Sequence, residues 1–303
     1  MTPETLPLDR RTLLGGAIGA AMIPLAARAA AWPPAEQFAL WPGTPPGGAT
    51  APATARAPIV GVYRATRPDG RAVLSIPGGG YGFVSVGNEG SDVAAALNPL
   101  GITVFVLNYR LPGEGWARRW DVPLQDAQRA MRLIRARAAT WAIDPARLGI
   151  LGFSSGGHLG ADLAVAHDDR VYDPVDAADA LPARPFYAGL VYPVVDFATA
   201  GPNSRSASGL LGEHRDPAII ARHTPLARVT AATPPVFLLH AMDDGTVPVT
   251  QSLAMIDACR RAQVPVEAHL IERGGHGFGA AQLPVDAPGR NWLDVFARWT
   301  ATR

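Results

Sequence analysis

The run Arg147-Leu148-Gly149-Ile150-Leu151 leads into Gly152-Phe153-Ser154-Ser155-Gly156, and that into Gly157-His158-Leu159-Gly160-Ala161-Asp162-Leu163-Ala164. An apolar strand, a Gly-x-Ser-x-Gly pentapeptide and a helix-forming run together predict a sharp strand-to-helix turn that holds its central serine strained and exposed. Glycines on either side keep Cβ atoms out of the space where strand and helix meet. Behind Ser154, the helix N-terminus offers free N–H groups and the positive end of its dipole. Such a pentapeptide also arises by chance in a chain with 32 glycines. Its meaning therefore depends on partners.

A serine hydroxyl needs a neighbouring base, usually a histidine oriented by a carboxylate. Val236-Phe237-Leu238-Leu239-His240 reads as a buried strand running into Ala241-Met242-Asp243-Asp244-Gly245-Thr246-Val247-Pro248. An acid just past a strand end sits at the same carboxyl edge as the serine turn. Val266-Glu267-Ala268-His269-Leu270-Ile271 is the next strand, followed by Glu272-Arg273-Gly274-Gly275-His276-Gly277-Phe278. Asp244 is the candidate acid because it opens an Asp-x-x-Val-Pro turn, while Asp243 reads as a cap or brace of that turn. A helix cap before Thr250 is the competing role for either aspartate. His276, in its glycine-flanked loop, is the candidate base. His158 reads as a packing residue because helical geometry points it away from Ser154. His240 reads as a satisfied core histidine, and His167, His214, His223 and His269 as surface or loop residues.

The strand Arg71-Ala72-Val73-Leu74-Ser75-Ile76 empties into Pro77-Gly78-Gly79-Gly80-Tyr81-Gly82. Bare backbone amides after an early strand suit a developing oxyanion, and Gly79, Gly80 and the Ser155 amide are the candidate donors. A phosphate loop is excluded because no Lys-Ser/Thr follows, and indeed the chain has no lysine. A dinucleotide loop is excluded by the glycine spacing. Tyr81 is a candidate for lining the acyl pocket, with a packing role as the alternative.

With these motifs in one order, the chain resembles the α/β-hydrolase superfamily, and within it the exported acetyl esterase/lipase-like hydrolases of bacteria related to acetylxylan esterases. The resemblance runs from Ile59 to Arg298 and also takes in Pro123-Leu124-Gln125-Asp126-Ala127-Gln128-Arg129-Ala130. It implies a Ser154–Asp244–His276 triad, an oxyanion segment at Gly79 and Gly80, and removal of a small acyl group, acetyl foremost, from an alcohol or carbohydrate without a metal or organic cofactor. Pro77 departs from the His that hormone-sensitive-lipase-type esterases carry there. Ser155 departs from their Ala. Alternatives are a serine peptidase, a dienelactone-type hydrolase, which typically has Cys at the turn, and a non-catalytic binding protein on the same scaffold.

Residues 1–31 read as an export signal. Arg10-Arg11 precede a mildly apolar stretch, Leu13 to Ala27, and Ala27-Arg28-Ala29 fits a small-x-small cleavage site. Paired arginines predict the twin-arginine route to the periplasm or beyond, with a plain Sec signal as the alternative, and the stretch is too short for a membrane anchor. The formal charge of +1 leaves no basic stripe for nucleic acid. The one cysteine, Cys259, sits in an apolar-periodic run and reads as a small buried hydrophobe.

Residues 32–58 form a Pro- and Ala-rich lead-in, expected to be partly extended over the domain and anchored by Trp32, Phe38 and Trp41. From residue 59 to 303 strand-like and helical runs alternate, which predicts one α/β domain with a mostly parallel, doubly wound sheet and helices on both faces. Seven strands are expected: Ile59–Tyr63, Arg71–Ile76, Ile102–Leu107, Arg147–Leu151, Tyr187–Val191, Val236–His240 and Val266–Ile271. Pro123 to Ala139 is a helix with Leu124, Ala127, Met131 and Ile134 on its core face. Asp126 is expected to pair with Arg129 or to act near the helix start. Two irregular stretches, Asp168–Pro185 and Asp196–Thr233, are candidates for a lid or substrate wall, with a plain surface excursion as the alternative for the first.

Overall fold

The computed structural model describes residues 31–48, 57–200, 204–214 and 216–303; the export segment, apart from Ala31, lies outside the described residues. Eight strands make one sheet: β1 (Gln37–Ala39), β2 (Ile59–Tyr63), β3 (Ala72–Ile76), β4 (Thr103–Asn108), β5 (Leu148–Phe153), β6 (Ala188–Val191), β7 (Val236–Ala241) and β8 (Val266–Ile271). Their order is β1-β2-β4-β3-β5-β6-β7-β8. The pairs from β4 through β8 are parallel, while β1 and β2 join antiparallel. This is the α/β-hydrolase fold.

The central strands β3, β5, β6 and β7 are buried throughout, because helices cover both sheet faces and leave no side for polar residues. One face packs against α2 (Val122–Ala136), α3 (Ser155–Ala166) and α6 (Thr250–Arg261), with Leu124, Ala127, Met131, Ile134 and Cys259 in that core. The other packs against α1 (Asp92–Leu97) and α7 (Trp292–Ala301), through Val93, Leu97, Phe296 and Trp299. Among the described residues no helix is long and apolar enough to cross a membrane.

The lead-in contributes a strand that the sequence pattern does not announce. β1 extends the sheet beside β2, with Phe38 opposite Val60. Beyond it, Leu40 and Trp41 are buried, and Trp41 Nε1 donates to Asp126 Oδ1 at 2.8 Å. That contact belongs to a correction. Asp126 does not pair with Arg129; it accepts from the Arg110 backbone amide at 2.8 Å and from Arg110 Nη2 at 2.7 Å, with both side chains fully buried. Arg129 turns the other way, to Asp176 and Asp179. The reason is position on the helix: Asp126 faces inward, where only a buried cation can compensate it. The stretch 168–185 is accordingly a surface excursion pinned to α2.

Parallel register places the functional loops. Ile76 at the end of β3 stands opposite Gly152 in β5, so the glycine run emerges beside the serine turn. Ala241 at the end of β7 stands opposite Ile271 at the end of β8, so the aspartate and histidine loops leave the same edge.

Candidate active site

Ser154 adopts φ 53° and ψ −118° at the mouth of α3, a conformation that costs a non-glycine residue energy and persists only where packing enforces it. The enforcement is visible in the neighbouring glycines. A Cβ on Gly156 would stand 2.1 Å from the Ile76 carbonyl oxygen, and one on Gly152 would stand 2.4 Å from that of Gly156. Backbone meets backbone here, so no larger residue fits.

His276 Nε2 lies 2.9 Å from Ser154 Oγ, and His276 Nδ1 lies 2.7 Å from Asp244 Oδ2. An ionised carboxylate only accepts, so Nδ1 carries the proton and Nε2 is free to accept one from the serine. Asp244 is buried, which by itself would raise its pKa. Hydrogen bonds from His240, His276 and the Val247 amide outweigh that burial and hold the carboxyl well below the usual range. Its other oxygen, Oδ1, accepts from the Thr246 and Val247 amides at 2.8 and 2.9 Å. Asp243 braces a different loop from the one expected, accepting through Oδ1 from the Gly274 and Gly275 amides just before His276.

His240 is a core histidine that also touches this site. Its Nε2 lies 3.0 Å from the Val247 carbonyl oxygen and 3.2 Å from Asp244 Oδ2, while Nδ1 meets Ser252 Oγ at 2.8 Å. A carbonyl only accepts, so Nε2 carries the hydrogen.

Gly79 (φ 135°) and Gly80 (φ 61°) line the cleft with Ser154 and His276. Their amides have no hydrogen-bond partner among the described residues. Ser155 is the first residue of α3, where N–H groups lack an intrahelical acceptor. A Cβ on Gly79 would stand 2.1 Å from the Phe83 carbonyl oxygen, so the loop requires glycine for space as well as for its φ.

Tyr81 does not line the cleft. It is 2 % exposed, and its hydroxyl meets His158 Nδ1 at 2.7 Å. His158 Nε2 in turn donates to the His223 carbonyl at 2.8 Å, so both histidine nitrogens are occupied, as a packing residue's should be. His223 is a further correction. It is fully buried, not at the surface, with Nδ1 2.8 Å from Asp162 Oδ2 and Nε2 3.5 Å from Asp121 Oδ1.

Sequence reasoning also missed the clamp beneath the cleft. Glu89 is buried; its Oε2 accepts from the Gly78 amide at 2.7 Å and its Oε1 from the Tyr192 hydroxyl at 2.8 Å. Tyr192 accepts in turn from the Gly279 amide at 2.9 Å and packs its ring on His276. Asn88 Nδ2 donates to the Gly277 carbonyl at 2.9 Å. Adjacent residues thus tie the glycine loop to the histidine loop. Burial raises the Glu89 pKa against the hydrogen bonds from Gly78 and Tyr192. Only an unmatched acid in the apolar-rich stretch after Tyr81 could have signalled it.

The cleft has a volume of about 530 Å³ and takes one wall from Ser204, Arg205 and Ser206, within the second irregular stretch. Two short helices, α4 (Arg205–Leu211) and α5 (Pro217–Arg222), give that stretch its form. Among the described residues no group of three or more His, Cys, Asp or Glu side chains is arranged to hold a metal ion.

Comparison with known proteins places this geometry. The chain is 34 % identical to an acetylxylan esterase of Xylanibacter ruminicola over 217 residues, which cover 70 % of this chain and 42 % of that protein. The chain therefore spans less than half the length of that curated relative. Among solved structures, an acetyl ester-xyloside bifunctional hydrolase from Caldicellulosiruptor lactoaceticus superposes with a TM-score of 0.78 at 32 % identity, over 92 % of this chain and 98 % of that one. A sugar hydrolase, YeeB, from Lactococcus lactis superposes with a TM-score of 0.66 at 29 % identity, over 81 % and 94 % of the two chains. The BD-FAE family model matches residues 62–258, a span holding the glycine loop, the serine turn and the aspartate. On that match and these likenesses, the chain belongs to the BD-FAE family.

Proposed function

We propose that the protein is a serine ester hydrolase that removes a small acyl group, acetyl foremost, from an alcohol such as a sugar hydroxyl. The observation that carries the reading is the unbroken chain of contacts from Ser154 Oγ through His276 to buried Asp244, at the floor of an open cleft. Ser154 attacks the ester carbonyl while His276 Nε2 takes the hydroxyl proton. Asp244 orients the imidazole and stabilises the cation that forms. Negative charge on the carbonyl oxygen meets the amides of Gly79, Gly80 and Ser155. Collapse expels the alcohol, which takes its proton from His276. Water then attacks the acyl-serine by the same route and releases the acid. The similarity to an acetylxylan esterase and to an acetyl ester-xyloside hydrolase supports acetylated carbohydrate as the substrate class.

Acid release from acetylated xylan, acetylated monosaccharides and aryl esters, measured side by side, tests the reading. Ser154→Ala should lower kcat by about four to six orders of magnitude and abolish labelling by a fluorophosphonate probe, with the fold unchanged. Full turnover by that variant would reject the mechanism.

A further inference from the structure

Arg205 opens α4 at the cleft wall. If Gly80 carried a Cβ, it would stand 3.2 Å from Arg205 Cβ and 3.7 Å from its Nε. The helix that carries Arg205 is fixed against the glycine loop. A Cβ on Gly209 would stand 2.2 Å from the Gly80 carbonyl oxygen, and Arg119 Nη2 and Nε donate to the Gly209 and Leu210 carbonyls at 2.7 and 3.1 Å.

The Arg205 side chain is exposed and has no hydrogen bond or ion pair among the described residues. The other charged or titratable groups of the cleft are engaged. Glu89 is 4 % exposed and holds Gly78 and Tyr192, and His276 sits between Ser154 and Asp244. The remaining polar lining, including Ser85, Ser204, Thr246 and Gln282, is neutral. Such groups suit hydroxyls, and one unmatched guanidinium among them suits a carboxylate, which it can grip through two parallel N–H bonds.

We propose that Arg205 is a carboxylate-binding residue of the cleft, and that the protein acts preferentially on esters that also carry a negative charge, such as acetylated uronic-acid sugars. This rests on the ester-hydrolase reading above. The same chemistry would serve a carboxylate on the sugar or on the acyl group, and two matched substrate pairs separate them: an acetylated methyl glucuronoside against the acetylated methyl glucoside, and 4-nitrophenyl hydrogen succinate against 4-nitrophenyl butyrate.

Steady-state hydrolysis by the full chain should favour the charged member of one pair by about tenfold in kcat/KM, a ratio typical of one charge-assisted contact. The difference should lie in KM and shrink at high salt, as a partly solvated ion pair requires. Arg205→Gln should erase the ratio and Arg205→Lys should keep part of it, with thermal unfolding unchanged in both because the native side chain holds nothing in place. Equal handling of both members in both pairs, or a preference that survives Arg205→Gln, would overturn the proposal alone. Hydrolysis of none of the four esters would overturn the ester-hydrolase reading, and this inference with it.

Discussion

Asp244 concentrates the demands of the site in one side chain. Its two oxygens receive the Thr246 and Val247 amides on one side and His276 on the other, with His240 behind. Asp244→Asn would retain the shape and lose the charge, and the new amide NH2 would disfavour a proton on His276 Nδ1. On the proposed mechanism, kcat should fall by about four orders of magnitude with little change in KM. Steady-state kinetics on an aryl acetate checks this, and a loss confined to KM would count against the assigned role. At this scale the sequence was most legible where chemistry leaves few options: a serine between close-packed glycines, then an acid and a histidine at strand ends. Glu89 and His223 were illegible for the complementary reason. Each is a polar residue whose burial depends on what folds over it, and local pattern carries no record of that.

The elements tell a similar story with different winners. Strands buried on both faces betray themselves as continuous apolar runs, so β3 to β7 lie within two residues of the bounds expected; β2 has those bounds, and so does β8, a partly exposed edge strand that mixes Glu267 and His269 with its apolar residues. β1 escaped notice because three residues in a Pro-rich stretch carry no periodicity; the free edge of β2 supplies the pattern instead. α2 was legible on its apolar face and misread at Asp126, since periodicity gives direction but no partner. Asp126 takes hydrogen bonds from Trp41 and Arg110 with no access to water. Asp126→Ala would strand the guanidinium of Arg110 in the interior, at a cost of about 3–5 kcal/mol. Urea unfolding would measure it, and a loss below about 1 kcal/mol would show that water or another group replaces the carboxylate.

For the whole molecule, two buried histidines, His158 within α3 and His223 packed against it, set the response to pH. Burial opposes a charge on His223, but Asp162 and Asp121 prevail and raise its pKa to about 9. A pKa raised in the fold adds stability that is complete below about pH 6.5 and fades as pH climbs through 9. His158 has the opposite sign. Burial lowers it to about 4, so the stability of its neutral form is lost as pH falls from about 6.5 towards 4. Thermal unfolding should therefore be most favourable to the fold near neutrality. The difference in melting temperature between the native chain and His223→Gln, several degrees at pH 7, should narrow as pH passes 9. A difference that stays constant from pH 6 to 10 would refute the linkage.

The shortness of β1 has a bearing on solubility. An open sheet edge invites pairing with another chain, and nature blunts such edges with brief or irregular strands. Three residues lie along β2 before the chain dives inward at Leu40 and Trp41, so the edge at this side of the sheet offers too little backbone for a foreign strand to grip. Cutting the polypeptide just before Ile59 would remove that guard and bare a five-residue apolar strand to aggregation.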